Sequence, residues 1–270
     1  MTIVTQPAEA VALKTCCANL YESDRARMLL GDTFHPGDLA LTERLGSLLN
    51  LQPGRRVLDV RSGKGTSAIY LAQRFGCEVW GVDYGAQLVA DGMGAAKRAG
   101  VADRVHFRQG DAEALPFENT EFDAVLCECA FCTFPDKAMA ASEFARVLKR
   151  GGRVGLAGLT RSGPLPRELE SLLAWVARLA DAQPIEGYAA HLQSAGFVLE
   201  WVEPHDEALA EMVNGIRAKL LGAELLVKLK KLDLPGVDFK HTRQLARATA
   251  EAVREGKLGY AIIVGVKPTL

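Results

Sequence analysis

The chain has no long hydrophobic run: no apolar stretch approaches the roughly 18 residues needed to span a bilayer. It has almost no net charge. With 32 Lys and Arg against 33 Asp and Glu, the formal value is -1, so no global field draws in nucleic acid or an anionic surface. Aromatic residues are few, at 7%, and none interleaves with a basic stripe, which argues against an RNA or DNA substrate. The first residues carry no basic stretch followed by an apolar run, so the expected location is the cytoplasm, where thiols stay reduced. The lysines of LVKLKKLDL (226–234) read as a solvated helix face, and no membrane partner is expected.

What is present is a cadence. Short β-rich runs at 55–60, 77–83, 104–111, 122–128 and 153–159 alternate with helical runs at 66–76, 85–100 and 136–152. That alternation predicts an α/β fold with a doubly wound, mostly parallel sheet. Helices are expected again at 165–182 and 186–196, strands at 197–204 and 259–267, and a helical insertion over 206–257, broken at DLPG (233–236). The N-terminal 50 residues read as a helical cover, residues 51–204 as the core, 205–258 as the insertion and 259–270 as the last strand, all within one domain. In FHPGDLALT, Pro36 and Gly37 enforce a turn, and Asp38 is placed to cap the helix that follows.

The most informative stretch is VLDVRSGKGTSAIYLA. A strand ends near Asp59, a glycine-bearing loop follows, and a helix begins. Backbone that approaches closely, backed by helix amides, suits a polar cofactor. Asp83 stands 24 residues on, at the end of the second strand, where an acid accepts hydrogen bonds from ribose hydroxyls. Asp111 ends the third strand in QGDAEALPF, where it can face an exocyclic amino group. Neither G-x-G-x-x-G nor G-x-x-x-x-G-K-[ST] is matched by RSGKGTSA, which removes the dinucleotide and P-loop readings.

DVRSGKG, GVDYG, GDAEALPF, FDAVLCECAF and EFARVLKRGGRVGLAGL, in this order and spacing, resemble the five motifs of the class I S-adenosylmethionine-dependent methyltransferases. The resemblance covers roughly residues 42–204 and the last strand. It implies a seven-strand sheet, S-adenosylmethionine as cofactor, and cofactor contacts from Asp59, Arg61, Gly63, Gly65, Asp83, Tyr84, Asp111, Ala112 and Cys127. One departure stands out: Arg61 occupies the family's first glycine position. Its side chain is expected to meet the cofactor carboxylate, to turn away, or to weaken binding.

The acceptor is open. Cys127, Cys129 and Cys132 fall within six residues, and Cys16 and Cys17 form a second pair. A zinc site would need a fourth ligand that the triplet lacks. A redox pair Cys129–Cys132 has no evident helix N-terminus to activate it. Cys127, inside the strand, reads also as a small buried hydrophobe. Thiolates select soft metalloids, and Cys129 aligns with a cysteine of the arsenite-methylating enzymes, so Cys16, Cys17, Cys129 and Cys132 are candidate metalloid ligands. That subfamily's further cysteine after the fifth strand is missing. The alternatives are O-, C- or N-methylation of a small organic, quinone-like molecule, or a non-catalytic, thiol-dependent metalloid-binding protein on this fold. Cys129, Cys132 and His35 are the candidate catalytic residues, His35 as a general base. Glu128 reads either as pocket-facing or as a solvated acid. No oligomeric interface is legible.

Overall fold

The computed structural model describes residues 35–165, 169, 182–231, 233 and 238–269. Seven strands are present there: β1 Arg56–Val60, β2 Glu78–Asp83, β3 Val105–Gln109, β4 Phe122–Glu128, β5 Leu148–Arg161, β6 Val198–Pro204 and β7 Leu258–Val266. They form one sheet in the order β3-β2-β1-β4-β5-β7-β6. Strands β1 to β5 pair in parallel, and β7 runs antiparallel to both β5 and β6. Strands buried on both faces need apolar residues at nearly every position. That is why VLDV and AVLC carry so little polarity.

Seven α-helices are described: α1 Asp38–Leu48, α2 Thr66–Phe75, α3 Ala86–Arg98, α4 Lys137–Val147, α5 Ile185–Ser194, α6 Asp206–Lys228 and α7 Phe239–Arg254. Strand alternation divides the core in two. Val57, Val79, Ala124 and Leu126 pack with α1, α2, α6 and α7, whereas Leu58, Val82, Val125 and Cys127 pack with α4 and α5. One ring locks the β1–β3 half of the sheet to its helices. A Cβ at Gly81 would lie 2.6 Å from Phe107, one at Gly92 2.9 Å, and one at Gly65 would also strike that ring. Three absent side chains therefore make the room that Phe107 fills.

Two expectations are corrected. Gly37, not Asp38, takes the N-cap position of α1 (φ 75°), and Asp38 enters the first turn, where its charge meets the helix dipole. Helix α4 stops at Val147 instead of running to the glycine pair. Leu148 turns extended and pairs with Phe122, so LKRGG becomes the start of β5. Tertiary pairing there overrides a good local helix preference. The helical insertion is a two-helix hairpin, α6–α7, packed against β7 through Leu209, Val213, Leu245 and Ala252. The helix expected at 165–182 lies almost wholly outside the described residues. No helix among the described residues is long and apolar enough to cross a membrane.

Candidate active site

Strand order reverses between β1 and β4, and open parallel sheets bind ligands at the carboxyl ends of strands beside such a reversal. The loop after β1 is built there from left-handed residues: Arg61 (φ 64°), Gly63 (φ 55°) and Gly65 (φ 81°). The amides of Arg61 and Ser62 both donate to the Val82 carbonyl, at 2.8 and 3.1 Å. Asp83, 2% exposed, then stitches the loop to β2. Its two carboxylate oxygens accept from the Gly63 and Gly85 amides, each at 3.0 Å. A carboxylate has about four acceptor sites, so capacity remains for ligand hydroxyls.

Arg61, Asp83, Tyr84, Asp111 and Ala112 line one crevice, and Thr133 and Phe134 close its far wall. Asp111 is held by its own turn, with Oδ1 accepting from the Glu113 amide at 3.0 Å. Five of the nine expected cofactor residues thus meet. Gly63 and Gly65 shape the loop instead of lining the crevice. Cys127 stands apart from it: the side chain is fully buried among Leu58, Val125 and Leu156, because alternation along β4 turns it into the α4–α5 core.

Asp59 lies beneath the loop, 2% exposed, and its Oδ2 has no hydrogen-bond partner. Burial, then the neighbouring Glu128 and Asp83 carboxylates, hold its acid well above the ordinary carboxylate range. Three acids therefore converge under the switch point, a setting that favours a cationic ligand.

The end of β4 assembles a second constellation. Glu128, 8% exposed, accepts the Thr42 hydroxyl at 3.0 and 3.2 Å through its two oxygens. His35 Nε2 stands 3.7 Å from Glu128 Oε2 and 3.4 Å from Thr42 Oγ1. A carbonyl only accepts, so His35 Nδ1, 3.1 Å from the Pro36 oxygen, carries a proton. With the Thr42 proton directed at Glu128, the Nε2 edge of His35 faces the Glu128 carboxylate. His35 and Thr42 are buried, as is Glu128, so the solvated reading of that acid is wrong. Thr42, Thr133 and Phe134 carry no motif in the sequence, and nothing there points to them.

The cysteines separate. Cys129 follows β4 in the left-handed region (φ 51°), its amide donating to the Ala157 carbonyl at 2.6 Å. It packs into the α1–α2 side of the core, while Cys132, in the 3-10 turn Phe131–Thr133, packs into the α4–α5 side. The pair expected to act together lies on opposite faces of the sheet. Cys16 and Cys17 lie outside the described residues. Among the described residues no group of three His, Cys, Asp or Glu is placed to hold a metal ion.

A family model described as a methyltransferase domain matches residues 57–152. The chain is 30% identical over 231 residues to methyltransferase GfsG of Streptomyces halstedii, covering 84% of this chain and 80% of that protein. It is 29% identical over 252 residues to the 27-O-demethylrifamycin SV methyltransferase of Amycolatopsis mediterranei, covering 87% and 86%. To an arsenite methyltransferase of Halobacterium salinarum it is 28% identical over 207 residues, covering 72% of this chain and 52% of that one. The structure of Haemonchus contortus phosphoethanolamine N-methyltransferase 2 with S-adenosyl-L-methionine matches 95% of this chain and 60% of that one, with a TM-score of 0.78 at 20% identity. That last likeness is one of fold.

Proposed function

The chain belongs to the class I S-adenosylmethionine-dependent methyltransferases, and on that premise we propose that it methylates a small organic acceptor whose proton leaves to the Glu128–His35 pair. The buried Glu128–Thr42–His35 constellation at the mouth of β4 carries this reading. S-adenosylmethionine fits the adjoining acids. The orphaned Asp59 oxygen, with Asp83 and Glu128 beside it, suits the positive charge of a sulfonium and an ammonium group.

When bound, the cofactor supplies an electrophilic methyl group. The rest falls to the chain. Asp83 takes the ribose hydroxyls, Asp111 the adenine edge, and Phe134 a ring face, a reading supported by their shared crevice. Glu128 accepts the proton of an acceptor hydroxyl or amine as the new bond to carbon forms, and His35 shares it. Thr42 keeps the carboxylate aimed. The relative that acts on 27-O-demethylrifamycin SV is consistent with an oxygen acceptor.

Thiol-bound arsenite is the second reading, favoured by the likeness to an arsenite methyltransferase and by Cys129 at the strand mouth. In it Cys129 acts with Cys16 or Cys17, since Cys132 faces the other side of the sheet. The non-catalytic alternative rested on Arg61, and is disfavoured by the likeness to methyltransferases over most of the chain.

Glu128→Gln tests the choice. Formation of S-adenosylhomocysteine is measured with a panel of phenols, alcohols and amines, and with arsenite plus a thiol. The expected result is a kcat lower by about 10²–10³ on the organic acceptor, with a smaller loss of cofactor affinity. Undiminished kcat sinks the proton-transfer reading. Turnover that requires arsenite and is lost in Cys129→Ser establishes the second.

A further inference from the structure

The second half of α6 is apolar on two sides. Leu220 and Ala223 are buried, Leu220 at the groove shared with α7. At about 100° per residue, the opposite side carries Leu221, Leu225, Leu226 and Leu229, with Ala218 and Gly222 between them. Leu221, Leu225 and Leu229 are 59%, 57% and 55% exposed. Single exposed leucines are ordinary, but a continuous row of them on a helix is not.

Cations border that row. Arg217 and Lys228 lie along one edge and Lys219 along the other, and Lys230 and Lys231 follow just past the helix end. The one acid between 217 and 231, Glu224, is neutralised by Lys228 at 2.9 Å and Arg243 at 2.6 Å. Beside it, Lys240, Arg243 and Arg247 of α7 join Arg217 around an open groove between the two helices. The whole chain has a net charge of -1, so this excess is local.

A merely solvated helix face does not need the leucines. An acidic protein partner uses the cations and leaves the leucines in water, and a purely apolar interface has no use for the cations. An anionic bilayer surface uses both, with leucines at the boundary of headgroup and acyl chain and basic side chains at the phosphates. The geometry points to the α6–α7 hairpin as a docking surface for an anionic phospholipid membrane. On this proposal the lysines of the solvated face meet the phosphates, and the leucines between them, which face outward too, meet the acyl boundary. The hairpin is rooted at Asp206 and Leu258, on the sheet edge that carries the candidate active site.

Co-sedimentation of the full chain with vesicles tests this. Phosphatidylglycerol–phosphatidylcholine vesicles are compared with phosphatidylcholine alone. Expected are at least tenfold stronger binding to the anionic vesicles and a several-fold loss at high salt. Leu221→Ser/Leu225→Ser/Leu229→Ser is expected to lose at least tenfold. Lys228→Glu/Lys230→Glu/Lys231→Glu is expected to erase the anionic preference. Circular dichroism and cofactor binding verify that both variants are folded. Absent binding, or equal binding to both vesicle types, overturns the proposal. So does a wild-type dimer that the leucine variant makes monomeric while neither binds vesicles.

Discussion

The loop after β1 and the turn after β4 lie side by side at the switch point and meet the same backbone demand differently. Each needs a left-handed residue directly past its strand, and neither uses glycine: Arg61 has φ 64° and Cys129 has φ 51°. The β1 loop works through backbone. Its amides bond to Val82 and Asp83, and glycines at 63 and 65 complete the curve. The β4 turn works through side chains, with Glu128 held by Thr42 and facing His35. The first site should therefore tolerate altered side chains and resist altered shape. The second should do the reverse.

After the loss of turnover in Glu128→Gln, the largest effect expected is on shape. Gly65→Ala places a Cβ into the Phe107 ring at a position with φ 81°. Urea unfolding should show a loss of about 2–4 kcal/mol. A loss below about 0.5 kcal/mol would mean that Phe107 moves aside freely and that shape does not govern the loop.

Next comes the charge beneath it. Asp59 has a raised value when folded, so the cofactor-free chain is favoured with Asp59 protonated. Its stability should fall as pH rises from the ordinary carboxylate range through that raised value, by at most about 1.4 kcal/mol per pH unit. Asp59→Asn removes this slope, so the variant's advantage over wild type should grow between pH 5 and pH 8. Parallel stability curves for the two proteins would show that Asp59 is not strained by its neighbours.

The smallest effect isolates the matched pair. Arg61→Gly relieves a left-handed non-glycine residue and should stabilise by about 0.5–1 kcal/mol, with cofactor affinity within threefold. Cys129→Gly relieves similar strain but deletes a side chain only 5% exposed, so no net gain is expected. Differential scanning calorimetry of the two variants reads the contrast, and equal gains would erase it.

Much of the cofactor half was legible in the chain. A strand-ending acid leaves a mark in sequence because it follows an apolar run, as Asp83 does, whereas Asp111 stands two residues past β3, behind Arg108, Gln109 and Gly110. Glycines whose backbone turns left also leave a mark. Glu128 does not: alone it is an acid at a strand end, and only Thr42, 86 residues away, and His35 show it buried and bonded. The parting of Cys129 from Cys132 was hidden for a related reason. Three thiols close in sequence suggest one cluster, but alternation along β4, the left-handed Cys129 and the 3-10 turn send them to different faces.

By itself the sequence determined the β-α cadence, the glycine loop and the acids at the strand ends. These are local, set by hydrophobic period and backbone freedom over a few residues. Tertiary structure alone decided which side chains share a space. It put His35 and Thr42 over Glu128, parted Cys129 from Cys132, and left one side of α6 uncovered, because burial and hydrogen bonding depend on neighbours that the fold brings from far along the chain.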